Sequence, residues 1–204
     1  MNDLYKTIKK RSEGLFKDKG SRFIAFAFPV NNEEEIKQRI AEIKKDYHDA
    51  RHHCYAWCLG ADRERFRAND DGEPSGSAGK PILGQIQSRD LTQVLVVVVR
   101  YFGGTLLGVG GLINAYRSAT AAALNQATII EKKVEDQLVI TFGYNEMNAV
   151  MKVIKEFDLG YEDQQFDLEC SVTIRVWNRL IPKVRRRFST IQGCKVTPPN
   201  GGKL

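Results

Sequence analysis

The stretch VLVVVVRYFGGTLLGVGGLINAY, residues 94–116, decides how the rest of the chain is read. Its first six residues, Val94 to Val99, are apolar with no polar alternation, the pattern of a strand buried on both faces. Five glycines follow (Gly103, Gly104, Gly108, Gly110 and Gly111), and the chain then enters an Ala-rich segment read as a helix over roughly 112–127. Glycines let backbone N–H groups surround an anion, and a helix N-terminus adds partial positive charge. Arg100 and Arg117 flank the loop and suit pairing with phosphate or carboxylate. Close packing of strand against helix also demands glycine, so recognition and packing both stand as readings of the segment. The GxGxxG spacing of a dinucleotide-binding turn is absent.

Just upstream, GEPSGSAGKP (72–81) has the look of a phosphate loop but not its pattern. Pro74 stands where the first Walker glycine belongs, and Pro81 replaces the hydroxyl residue that would hold magnesium. The loop carries the acids Asp70, Asp71 and Glu73, the hydroxyls Ser75 and Ser77, and the base Lys80. Acids this close suit a hard cation through oxygen ligands. Asp-Gly and Pro-Ser-Gly are also turn formers, and the turn is the favoured reading. His48, His52, His53, Cys54 and Cys58 invite a metal reading as well. If 53–60 is a strand, however, Cys54 and Cys58 lie roughly 13 Å apart on one face, too far for one zinc ion. Small core-facing residues at 54, 56 and 58 are the better reading, and no metal is expected.

Around these segments the remaining elements fall into place. Residues 21–30 read as a strand, and Asn31 or Asn32 caps a following helix with Glu33, Glu34 and Glu35 in its first turn. Residues 53–60 and 64–69 form a strand pair, and a short helix starts near Pro81. Residues 4–19 are basic and irregular, an edge hairpin turning at Gly14. From Val134 the pattern restarts: a strand (134–142), a helix with Val150, Val153, Ile154 and Phe157 on one side, strands near 160–167 and 169–177, a helix from Asn178, and a short strand at 194–197. That order, βαββαβ, is the split-βαβ unit. The charged Glu-Lys-Lys connector before it marks a boundary, giving domains at 1–130 and 134–204.

The chain has 204 residues, 42% hydrophobic and 27% charged, with a net charge of +6, an ordinary globular balance with a mild tilt towards polyanions. No apolar run approaches the roughly 20 residues that cross a bilayer, and the N-terminus lacks a secretory pattern, so a cytoplasmic protein without membrane contact is expected. The four cysteines read as free thiols. Charge is polarised late in the chain: acids from Glu156 to Glu169 precede a segment with bases alone. Arg179, Lys183, Arg186 and Arg187 lie opposite the apolar stripe of the last helix, a face able to track phosphates or simply to stay solvated. No nucleophile with partners and no GxSxG elbow occurs.

DDGEPSGSAGKPIL (70–83) and VVVVRYFGGTLLGVGGLINAY (96–116), supported by HHCYAWCLG (52–60) and GSRFIAFAFPV (20–30), resemble the YigZ/IMPACT family in its bacterial two-domain form. The resemblance implies an α+β fold: an N-terminal α/β sandwich like ribosomal protein S-five domain two, and a C-terminal ferredoxin-like βαββαβ domain. That pairing is similar to the last two domains of elongation factor G, and eukaryotic relatives are tied to control of translation initiation. The expected function is therefore a non-enzymatic regulator that binds RNA, the ribosome or a translation-control protein, without a cofactor. Its binding surface is expected among Asp70, Asp71, Glu73, Ser75, Lys80, Arg100, Tyr101, the five glycines and Arg117. The alternative is a metal-dependent hydrolase or phosphotransfer enzyme built on the acidic loop 70–73. The family offers no catalytic residue to carry over.

Overall fold

The computed structural model describes residues 3–167 and 169–198. The chain is mixed α/β and divides into two compact units, one running to residue 132 and the other starting at 133. In the first unit, strand β6 (Val94–Tyr101) lies at the centre of a five-stranded sheet ordered β2-β3-β6-β4-β5. Its neighbours β3 (Ser21–Pro29) and β4 (His52–Leu59) run antiparallel to it, as do the outer strands β2 (Ser12–Asp18) and β5 (Arg65–Asn69) to their partners.

Alternation along β6 explains its unbroken apolar run. Val94, Val96 and Val98 face one core, with helices α2 (Gly79–Gln87) and α3 (Gly108–Gln126) packed over it. Leu95, Val97 and Val99 face a second core under helix α1 (Glu33–Asp46), whose N-cap Asn32 accepts the Glu35 N–H. A period of two with both faces covered needs apolar residues at every position. Cys54, Ala56 and Cys58 share the α2/α3 face and are 0–1% exposed, and all four cysteines of the chain are free thiols.

Three expectations are corrected. Gly14 is no turn residue: it lies within β2, where a Cβ would sit 2.2 Å from the Ala123 backbone nitrogen of α3, so it is the glycine that lets helix and strand touch. The Glu-Lys-Lys connector is itself a strand, β7 (Ile129–Lys133), paired with β1 (Leu4–Ile8) in a small separate sheet. Its residues are mostly exposed and charged, which hides a strand from hydrophobic patterning. Helix α3 begins at Gly108, four residues earlier than the reading, so Gly108, Gly110 and Gly111 belong to its first turn.

The second unit has the order β8 (Glu135–Gly143), α4 (Met147–Glu156), β9 (Gly160–Phe166), β10 (Glu169–Trp177), α5 (Ile181–Phe188), β11 (Lys195–Thr197). Its sheet is antiparallel and ordered β11-β8-β10-β9. Leu138, Ile140 and Phe142 of β8 and Val172, Ile174 and Val176 of β10 form its core with Val150, Val153 and Ile154 of α4 and Val184 and Phe188 of α5. Among the described residues no helix is long and apolar enough to cross a membrane.

Candidate functional site

The acids of loop 70–78 each have their own internal employment. The Asp70 carboxylate accepts the backbone N–H groups of Gly76 (2.8 Å), Ala78 (3.0 Å) and Gly79 (2.8 Å), closing the N-terminus of α2. Burial raises its proton affinity, but those three donors and the nearby Lys80 charge outweigh burial and hold the carboxyl below its ordinary value. The phosphate-loop look of this segment thus has a physical basis, because a nest of N–H groups is present and the chain's own carboxylate fills it. Asp71, at φ 42°, takes the His53 N–H at 2.7 Å and the Lys44 ammonium at 3.3 Å. Among the described residues no group of three His, Cys, Asp or Glu side chains is arranged to hold a metal ion.

Glu73 points inward instead. Its side chain is 3% exposed and both its oxygens accept from Arg100 Nη1, at 2.7 and 2.9 Å. Tyr116 donates its hydroxyl to Glu73 Oε1 at 2.7 Å, and the Cys54 thiol lies 3.3 Å from that hydroxyl and 2.9 Å from the Asp70 carbonyl. Burial, with the Glu73 charge adding to it, pushes the Tyr116 phenol and the Cys54 thiol far above their ordinary values, so both remain protonated donors. Phe23 packs edge-on against Tyr116, and the Arg100 guanidinium lies over the rings of Phe23 and Phe102. The two motif segments, 70–83 and 96–116, are therefore stapled to each other through the core. Arg100, read from the sequence as flanking the glycine loop and suited to pair with phosphate or carboxylate, is 7% exposed and committed to the Glu73 carboxylate.

The glycines of the 102–111 segment divide into two kinds. A Cβ on Gly103 would collide with the Gly20–Ser21 backbone at 1.9–2.1 Å, and one on Gly111 with Leu107 at 2.9 Å, so these two answer to packing. Gly104, Gly108 and Gly110 would meet nothing within 4 Å, and Gly104 and Gly108 have φ of +88° and +71°. Around this bare backbone Phe102, Leu106 and Val109 are exposed, Leu106 to 82%. Among the described residues no side chain caps the first turn of α3. These three apolar residues were not among the expected contacts, although the sequence places Phe102 directly before the glycines and Leu106 and Val109 between them.

The remaining expected residues scatter. Ser75 is exposed, and Tyr101 donates to Asp49 Oδ1 at 2.7 Å beneath the Arg22 guanidinium. Lys80 and Arg117 do come together: they line a groove of about 410 Å³ between α2 and α3, with Gly76, Gly84, Gln85 and Ile113. In the second unit Arg179 stacks on Trp177 at 3.9 Å, Arg187 pairs with Glu156 at 3.1 Å, and Lys183 and Arg186 are exposed on α5. Among the described residues the acidic and basic stretches of that unit therefore meet in the Arg187–Glu156 pair, and Lys183 and Arg186 stay in solvent.

Residues 19–124 match the family model of the Impact N-terminal domain, a span that contains both stapled motifs and the glycine segment. The chain is 37% identical over 152 residues to the IMPACT family member YvyE of Bacillus subtilis, covering 74% of this chain and 70% of that one. It is 37% identical over 142 residues to the IMPACT family member YigZ of Escherichia coli, covering 69% and 70% respectively. A crystal structure described as a hypothetical protein superimposes over 97% of this chain and 98% of its own, with a TM-score of 0.78 and 26% identity. With the family model covering about half the chain and these relatives matching most of it, the chain belongs to the IMPACT family.

Proposed function

We propose that the protein is a translation-linked regulatory binding protein that engages a protein component of the translation machinery through residues 102–110. The observation that carries this is the pairing of open backbone at Gly104, Gly108 and Gly110 with exposed Phe102, Leu106 and Val109. Apolar side chains rimming bare backbone suit a protein surface better than a phosphate chain, since desolvating them favours association while phosphates stay hydrated. Membership of the IMPACT family supports the link to translation, because the resemblance implies it. The strand order of the second unit supports the ferredoxin-like reading, and the layered first unit supports the S-five-type reading. Exposed Lys183 and Arg186 supply a secondary, salt-sensitive attraction to ribosomal RNA. The enzyme alternative is the weaker reading, because Asp70, Asp71 and Glu73 serve three separate internal roles rather than converging on one ligand.

Co-sedimentation with ribosomes and subunits, titrated from low to physiological salt, tests this. Leu106→Glu and Val109→Glu should abolish the salt-resistant fraction while leaving the fold intact, since Leu106 lies in solvent ahead of α3 and an acid at 109, in the first turn, suits the helix dipole. Wild-type binding unchanged in both folded variants would remove the assigned surface.

A further inference from the structure

We propose that the groove between α2 and α3 is a binding site for a phosphomonoester dianion, separate from the partner surface at 102–110. Lys80 and Gly84 stand one turn apart on α2 with Gln85 beside them, and Ile113 and Arg117 stand one turn apart on α3. The groove therefore draws one cation from each of two helices, and among the described residues no carboxylate lines it. Among the described residues neither Lys80 nor Arg117 makes a side-chain hydrogen bond or ion pair, although the field of Lys80 reaches Asp70. Its volume, about 410 Å³, falls among pockets that take small ligands, typically about 300–1,000 Å³.

Two further observations point to a ligand. Gln85 Oε1 accepts from Arg89 Nη1 at 2.7 Å, and Arg89 Nη2 donates to Asn125 Oδ1 at 2.9 Å. Arginine carries donors alone, so it holds the amide oxygen and leaves the Gln85 NH2, among the described residues, as the unpartnered end of a side chain lining the groove. Gly84 is the second. It lies inside α2, has no positive φ, and a Cβ there would meet nothing within 4 Å. Neither packing nor backbone geometry calls for glycine, which weakens a helix relative to alanine. What the missing side chain does is keep the groove open. Two cations and a neutral donor match a phosphomonoester, which carries about −1.5 to −2 at pH 7, better than a singly charged phosphodiester. The nest of N–H groups at loop 70–79 is not the site, because Asp70 already occupies it.

The test is calorimetric titration of the full chain at constant ionic strength with inorganic phosphate, adenosine 5′-monophosphate, adenosine, and a short RNA bearing either a 5′-phosphate or a 5′-hydroxyl. Phosphate-bearing probes are expected to bind and adenosine to be silent. Binding of the mononucleotide identifies a small-molecule site, and binding of the 5′-phosphorylated RNA alone identifies an RNA end, either of which upholds the phosphomonoester. Lys80→Ala and Arg117→Ala should each weaken binding by about tenfold or more. Gly84→Leu, which keeps both charges and fills the groove, should abolish it with the fold unchanged by circular dichroism. Equal affinity in folded Gly84→Leu, equal binding of 5′-hydroxyl and 5′-phosphorylated RNA, or no heat from any phosphate-bearing probe at about 10 mM would overturn the proposal.

Discussion

Glu73→Gln changes one buried charge and almost no volume, so it reads the staple between the two motif segments directly. Glu73 and Arg100 side chains are 3% and 9% exposed, and the glutamate is the sole carboxylate hydrogen-bonded to Arg100 among the described residues. Glutamine retains an acceptor for the Tyr116 hydroxyl but strands the guanidinium charge. Removing one member of a buried pair destabilises by about 3–5 kcal/mol, because the remaining charge stays desolvated. Glu73→Leu should be worse, since the tyrosine also loses its acceptor, a further loss of about 1–3 kcal/mol. The double variant Glu73→Leu/Arg100→Leu removes both charges and should recover most of the deficit, because an apolar replacement of a buried pair is often neutral. The assay is urea unfolding of the full chain followed by Trp57 fluorescence in a Trp177→Phe background, which confines the signal to the first unit. For a unit of this size, the single variant should also lower Tm by roughly 10–20 °C. A loss below about 1 kcal/mol in Glu73→Gln, or a double variant less stable than either single one, would refute the claim that this pair pins the motifs together.

Asp70→Asn addresses the cap of α2. Because the folded carboxyl is held below its ordinary 3.8, its contribution is complete above that value and is lost as pH falls through the lower folded value. Wild type should lose stability over that acid window while Asp70→Asn shows a flatter profile, and parallel Tm-versus-pH curves would contradict the cap. Gly14→Ala should destabilise the first unit by about 1–3 kcal/mol in urea unfolding, since its Cβ would press on the α3 backbone. Gly84→Ala should raise stability by roughly 0.5–1 kcal/mol, and a loss instead would mean that packing holds the glycine after all.

Much of the fold was legible because its signals are local and periodic. Val94 to Val99 declare a strand covered on both faces, and the valines and isoleucines of β8, β10 and α4 declare their inner faces at periods of two and 3.6. Gly14 and β7 were misread for opposite reasons. Glycine is both a turn former and the residue of closest approach, and only the tertiary contact with Ala123 separates the two. Strand β7 is exposed and charged, and its pairing with β1 lies more than a hundred residues back along the chain, beyond any local pattern. The site divides along the same line. Residues 70–83 and 96–116 were grouped as one expected binding surface through the family resemblance, but the direction of each side chain was not legible. Glu73 and Arg100 look like surface charges in a polar loop and at a strand end, and burial turns them into a core pair. Lys80 and Arg117 are 37 residues apart, and the packing of α2 on α3 brings them to one groove. Gly84 and Gln85 carried no signal until that groove existed.

Incorporating a photo-crosslinking amino acid at position 106, with position 66 as an exposed apolar control on β5, tests the proposed function most directly. In a translating extract, irradiation should attach the chain through position 106 to a ribosomal protein or translation factor, while position 66 gives no such product. Crosslinks from position 66 alone, or none from position 106 while the protein still co-sediments with ribosomes at physiological salt, would contradict the assignment of residues 102–110 as the partner surface.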